Sequence, residues 1–310
     1  MLARVSVIAL NTYREAVRAR ILHGLFGLAL ATTAYSLVVG AYTAKNQLRV
    51  VSDLGAAAVS IYAIIVAVVL GATSLYRELE LKTLFPILAR PISRTEYLVG
   101  KYLGTLLVLL VFVALNSGIS LLAIAVIAGR GLLPVLGLLA GGVAALGTVG
   151  YLKRPSLTYL PIAAAAFVGV AGVLLASGAP DDRRVLVGLV VLTMCEVAIV
   201  TSLATVFSSF SSPFLTAVFT FCVFLIVRSA DYLARLPVRL FGQFIHDKFA
   251  ALSKVVPNLM LYVPERPLLT GEAAGVSLWP HVGWAALYAL GWTVGLLALA
   301  SLIFRRRDFI

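Results

Sequence analysis

Residues 76–101 read YRELELKTLFPILARPISRTEYLVGK. Acids, bases and two prolines crowd together here, in a chain otherwise built mostly from Leu, Val, Ala, Ile and Gly. The flanking stretches, 55–76 and 98–128, are apolar and long enough to cross roughly 30 Å of hydrocarbon. The quoted segment is therefore a charged connector between two membrane spans. Its first residues, YRELELKTL, continue a helix out of the bilayer, with Glu78 and Lys82 four residues apart on one face. Pro86 and Pro91 disfavour one continuous helix through the connector. The expected form is a short helix across the membrane face that offers Leu84, Phe85, Ile87 and Leu88 to a partner. A merely solvated loop would not need those apolar residues.

Working outward, composition sets the class. The chain has 310 residues, 61% hydrophobic and only 12% charged, with a mean hydropathy of +1.04. A soluble domain carries roughly 25% charged residues, so this surface cannot be covered by water-facing groups. Apolar stretches of spanning length recur at about 21–42, 55–76, 98–128, 131–151, 157–178, 185–210, 212–230 and 282–304. The expected fold is an all-α polytopic membrane protein with about eight spans. The early charges Arg14, Glu15, Arg18 and Arg20 interrupt the first apolar run, so the first residues do not read as a cleaved signal. With a cytoplasmic N-terminus, one side receives Arg4, Arg14, Arg18, Arg20, Arg77, Lys82, Arg90, Arg94, Lys101, Lys153, Arg154 and Arg305 to Arg307. The short loops opposite hold only Lys45, Arg49, Arg130, Arg183 and Arg184, so both termini and the connector are expected in the cytoplasm.

Two regions depart from simple spans. In residues 1–20, Leu10, Tyr13 and Val17 share one helical face, while Arg4, Asn11, Arg14, Glu15 and Arg18 lie opposite, as in a helix lying in the interface plane. Residues 231–281 mix polar and apolar positions, which suits short interfacial or re-entrant helices. Within 131–151, Gly137, Gly141 and Ala145 recur at four-residue spacing beside Gly142. That pattern lets helices approach closely, more simply within one chain than at a dimer seam.

Catalytic motifs are missing. VGKYLGT, residues 99–105, holds a Gly-Lys pair without the glycine framework of a phosphate loop. His23, His246 and His281 are scattered, so no metal site is expected. Cys195 and Cys222 fall in apolar segments and read as packing residues. Asp181 and Asp182, in GAPDDRR, read as a solvated turn. Glu196 sits well inside a span, where a charge costs roughly 2.5–3.5 kcal/mol on insertion scales, and it should be protonated, paired or facing a polar cavity. Asn116 or a hydroxyl is a candidate partner. Arg228 is close enough to a span end to snorkel.

Several stretches, in this order along residues 9–309, resemble the permease subunit of type-2 ABC exporters. They are ALNTYREAVRARIL, YRELELKTL, RPISRTEYLVGKYLG, FSSFSSPFLTAVFTF, VPNLMLY and IFRRRDF. The resemblance implies a single permease domain with an elbow helix at 1–20 and a cytoplasmic coupling segment at 77–97. It also implies an external re-entrant region at 231–281 before the last span. The family core has six spans, so the surplus helix pair is placed at 131–178. Glu78, Glu80, Thr83, Arg90, Pro91, Ser93, Arg94 and Lys101 would form or brace the contact with a separate cytoplasmic ATPase subunit. ATP and Mg would then bind that partner, with no cofactor in this chain. A second permease copy, most simply a homodimer, would complete the machine in a bacterial inner membrane. Nucleic acid is not an expected partner. Two other classes fit the residues less well: a non-transporting scaffold that recruits a cytoplasmic protein, and a membrane-embedded lipid-modifying enzyme. The enzyme would need more convergent polar residues than Asn116 and Glu196. No motif selects among lipids, peptides, polysaccharides and drug-like molecules as cargo.

Overall fold

The computed structural model describes residues 2–43, 46–80, 93–152, 154–234, 255–270 and 277–306, with positions 243–244, 247–248 and 251. The regular elements among them are helices: α1 (Leu2–Val17), α2 (Arg20–Ala41), α3 (Gln47–Glu80), α4 (Arg94–Ala125), α5 (Leu132–Leu152), α6 (Leu160–Leu175), α7 (Pro180–Ser208), α8 (Pro213–Arg228) and α9 (Leu278–Arg306). Short helices at Ala230–Ala234, Leu259–Tyr262 and Arg266–Thr270 lie between α8 and α9. Seven of the described helical stretches are long and apolar enough to cross a membrane. The eighth expected span, α8, has 16 residues. At 1.5 Å per residue it reaches about 24 Å, short of the roughly 30 Å hydrocarbon thickness. Its shortness has local causes: the chain turns through Ser209–Ser212, and Pro213 opens the helix, where its missing N–H costs nothing.

The helix ends are legible in chemistry. Ser93 caps α4: its hydroxyl accepts from Glu96 N at 3.1 Å, and the Glu96 carboxylate accepts from Ser93 N at 2.9 Å. This reciprocal box satisfies two orphan amides at the helix start. A π-turn, Val126–Arg130, follows α4. There Gly129 and Gly131 adopt φ of +96° and +76°, backbone that other residues rarely enter, and the chain passes into α5. Asp181 and Asp182 lie in the first turn of α7, where carboxylates favour the helix dipole. The expected solvated turn is thus a helix start.

The centre of the bundle is α3, α4 and α7, which pack mutually; α9 lies on α7, α2 on α3, and both α1 and α6 on α4. These crossings rely on missing side chains. A Cβ on Gly71 of α3 would stand 2.5 Å from the Ala204 Cβ of α7. One on Gly104 of α4 would stand 2.5 Å from the Ala9 carbonyl oxygen of α1, and one on Gly172 of α6 would meet the Gly118 carbonyl oxygen at 2.7 Å. Gly100 and Gly104, four residues apart, form a groove for α1, with Gly100 facing Ile8. Val5, Thr12 and Tyr13 are accordingly buried, whereas Leu10 is exposed. The seat on α4 turns the helix relative to the amphipathic pattern, which placed Leu10 on the apolar face.

The helix pair expected as the surplus corresponds to α5 and α6. Its inner member, α6, crosses α4 tightly, while α5 is largely exposed. A Cβ on Gly137 or Gly141 would have nothing within 4 Å among the described residues, so the expected close packing is not seen at those two positions, whereas Gly142 is closely met by the Phe167 ring. The 3-10 turn Arg154–Tyr159 between the two helices reaches α1, where the Tyr159 and Tyr13 rings stack with centroids 6.4 Å apart and Arg14 bonds the Tyr159 hydroxyl. Burial raises the Tyr13 hydroxyl pKa to about 12.

Glycine at 104 is needed for the elbow helix to seat, so Gly104→Leu should lower stability by about 1–3 kcal/mol, the usual cost of overpacking. Gly137→Leu, facing open space, should leave it unchanged. Thermal unfolding of both variants in the same detergent checks the contrast.

Candidate functional site

The base of the 76–101 connector is built from both helices that enter it. With 34 residues, α3 is about 51 Å long, well beyond the hydrocarbon thickness, and carries Glu78 and Glu80 on its last turns. Thr83, Arg90 and Pro91, with the short apolar helix expected between them, lie outside the described residues, as do the side chains of Glu78 and Glu80. The returning helix α4 holds the remaining three. Ser93 is spent on the α4 cap. Arg94 donates from Nη1 to the carbonyls of Phe304 at 3.3 Å and Arg305 at 3.0 Å, where α9 ends and its dipole is negative. Thr95 bonds Ser301 at 2.8 Å and Tyr97 stacks on Phe304, which completes a seam between the start of α4 and the end of α9.

Lys101 is the most constrained of the set. Its side chain is only 5% exposed, and its Nζ donates to the Ser74 carbonyl of α3 at 3.2 Å and stands 3.7 Å from the Glu15 carboxylate of α1. A lysine this deep needs a compensating charge and acceptors, and both are supplied. One ammonium thereby ties the two legs of the connector to each other and to the elbow. Lys101 braces the connector from within the bundle and Arg94 lies half-buried against α9, while Ser93 is exposed at the helix start. Beside them lies a cavity of about 70 Å³ lined by Thr12, Glu15, Thr73, Ser74 and Thr105.

The intramembrane acid has a partner. Glu196, fully buried on α7, receives a hydrogen bond from Nη1 of Arg228 at the end of α8. Depths agree: Glu196 lies about 18 Å along α7 from Ser208, and Arg228 about 22 Å along α8 from Pro213, at 1.5 Å per residue. Arg228 therefore turns inward to the acid instead of snorkelling. Ser60 of α3 also lies close enough to interact with the carboxylate. Asn116 is not the partner: its Nδ2 donates to Phe112 O of its own helix at 2.8 Å, and its buried Oδ1 has no hydrogen bond among the described residues.

The opposite end of the bundle is tied by charges that the sequence pattern does not pair. Arg266, in the region before α9, bonds Asp53 of α3 and, at 2.7 Å, Asp182 of α7. VPNLMLY is held against α9: the amide of Asn258 donates to the Tyr288 hydroxyl at 2.9 Å, and the Tyr262 hydroxyl donates to Ala285 O at 3.1 Å. Asn258 Nδ2 also donates to Asp231 at 2.7 Å. His281 bonds Leu261 O at 3.0 Å and His23 bonds Ala19 O at 3.0 Å, so both described histidines serve the backbone. The partners lie tens to hundreds of residues apart in the chain, and only the polar residues of 231–281 hinted at such contacts.

One end of the bundle thus gathers α1, the two connector legs, the 154–159 turn and the end of α9; the other gathers Arg49, Asp53, Asp182 and Arg266. Against this architecture, the model of the ABC-2 family transporter proteins matches residues 7–309. The chain belongs to that family. No curated protein matches it. As an ABC-2 protein it is a multi-pass transport permease, a membrane component that works with an ABC ATPase subunit and is not itself the catalyst. The ABC-2 match begins inside α1 and ends after α9, so it includes the elbow, the connector legs and the extra pair alike.

Removing one member of a buried ion pair leaves the other uncompensated, at about 3–5 kcal/mol. With Arg228 26% exposed, the lower end applies to Glu196→Leu. The E196L/R228L double variant should recover most of that loss. Thermal unfolding of the two single variants and the double in detergent gives the coupling.

Proposed function

We propose that this ABC-2 permease is the membrane half of an ATP-driven exporter, moving its substrate outward with energy from ATP and Mg bound on a separate cytoplasmic ATPase subunit. The observation that carries this reading is the construction of the connector's base. Two long helices, α3 and α4, run from the centre of the bundle into one charged segment, and buried Lys101 bonds them together. A push on residues 81–92 is then delivered as a rigid-body movement to α3 and α4, and through α3 to α7. Glu78, Glu80, Thr83, Arg90 and Pro91 form the docking surface in this reading. Ser93, Arg94 and Lys101 keep it stiff.

Two nucleotide sites on an ATPase dimer call for two permease halves, and a homodimer is the simplest supply. The protein is placed in a bacterial cytoplasmic membrane with both termini inside, as its basic residues favour. During transport α7 and α8 move as a unit through the Glu196–Arg228 pair.

Pull-down of the chain from its native membrane in mild detergent, followed by mass spectrometry, should bring a stoichiometric protein with a phosphate loop. Glu78→Arg should abolish that capture without changing the permease yield. Lys101→Met should retain the ATPase but lower transport-coupled ATP hydrolysis several-fold, because the docking surface survives while its lever is loosened. Absence of any phosphate-loop protein, under conditions that preserve a known transporter, would reject the reading.

A further inference from the structure

At the bend between α1 and α2 lies a half-open pocket of about 190 Å³. Val17, Leu22 and Phe26 form one wall, Val111 and Leu115 of α4 another, and Pro161 at the start of α6 closes it. The extra helix pair therefore helps to make the pocket, and Tyr159, two residues before Pro161, anchors that pair to Tyr13 and Arg14. The walls are almost wholly apolar, with His23 the ionisable side chain among them. The bend beside the pocket is basic. Arg18 and Arg20 fall between pocket-lining Val17 and Leu22, are exposed, and make no ion pair among the described residues. Glu15 is the single acid from residue 2 to 43, and its carboxylate faces Lys101.

An apolar slot beside a cationic bend matches one ligand chemistry, an acyl chain joined to an anionic headgroup. We propose that this pocket is a binding site for one anionic phospholipid. One acyl chain lies between α2, α4 and α6, and the phosphate is held by Arg18 and Arg20. The lipid then wedges the elbow helix, the central helix α4 and the extra pair into one unit. A zwitterionic lipid offers the same chain but a headgroup with no net charge for the basic bend, so selectivity is the property to measure.

The test uses the full chain in nanodiscs of equal phosphatidylcholine and phosphatidylglycerol, released into the gas phase for native mass spectrometry. Wild-type protein should retain phosphatidylglycerol in preference to phosphatidylcholine. R18E/R20E should lower the retained anionic lipid roughly ten-fold or more, the order expected for two arginines at an anionic surface. Val111→Phe fills the slot without touching the charges and should also reduce retention. Equal retention of the two lipids by the wild type would overturn the proposal, and unchanged phosphatidylglycerol in Val111→Phe would overturn the assignment to this pocket. Should R18E/R20E fail to fold, the wild-type selectivity and the Val111→Phe result still decide it.

Discussion

Helices surrounded by hydrocarbon gain little from burying one apolar face against another, so their association depends on how closely backbones can approach. In this permease that constraint is met at a few positions. Gly71 against Ala204 joins α3 to α7, Gly104 against Ala9 joins α4 to the elbow helix, and Gly172 against Gly118 joins the extra pair to α4. Close approach multiplies small dispersion contacts. Of the peripheral helices, α1 and α6 each take their place on the central trio through one of these crossings.

Polar groups then fix what packing alone would leave free to slide. At one end Lys101, Arg94 and the Ser93–Glu96 cap hold α1, α3, α4 and α9 in register. At the other, Arg266 holds the starts of α3 and α7. Between them, α7 and α8 share the buried pair Glu196–Arg228. The contacts at the two ends thus join more helices than the pair between them does. The polar residues contributed by the 231–281 region also keep the short helices before α9 from drifting into solvent or lipid.

Much of this was legible in the sequence. Long apolar runs mark spans because nothing else in a chain needs them, and the boundaries of α2, α5 and α9 fall close to those read from hydropathy. The N-terminal helix α1 and the two connector legs were legible too, since charges at helix ends and prolines act locally. What was hidden depends on pairs of distant residues. Glu196 announced that it needed a partner, but Arg228 looked like a span end, and only the shortness of α8 brings it to the right depth. Lys101 read as a cytoplasmic cation that would form or brace a partner contact, with no sign that its neighbours on α1 and α3 enclose it. Asp182 read as solvated for want of any sign that Arg266 would reach it. Gly137 and Gly141 carried the strongest small-residue pattern yet face open space, while the glycines that do bind helices together lie singly or within the VGKYLG stretch.

The Glu196–Arg228 pair also bears on how the protein is made. A helix with a mid-span carboxylate enters a bilayer reluctantly by itself, since the acid would meet hydrocarbon without a counter-charge. Its partner is carried by the very next helix, 32 residues further on, across a short turn. The two can therefore leave the insertion machinery together as a hairpin, with the charges already matched. The Arg266 contacts are of the opposite kind, separated by 84 residues from Asp182 and 213 from Asp53, and cannot form until the chain beyond α8 has been made.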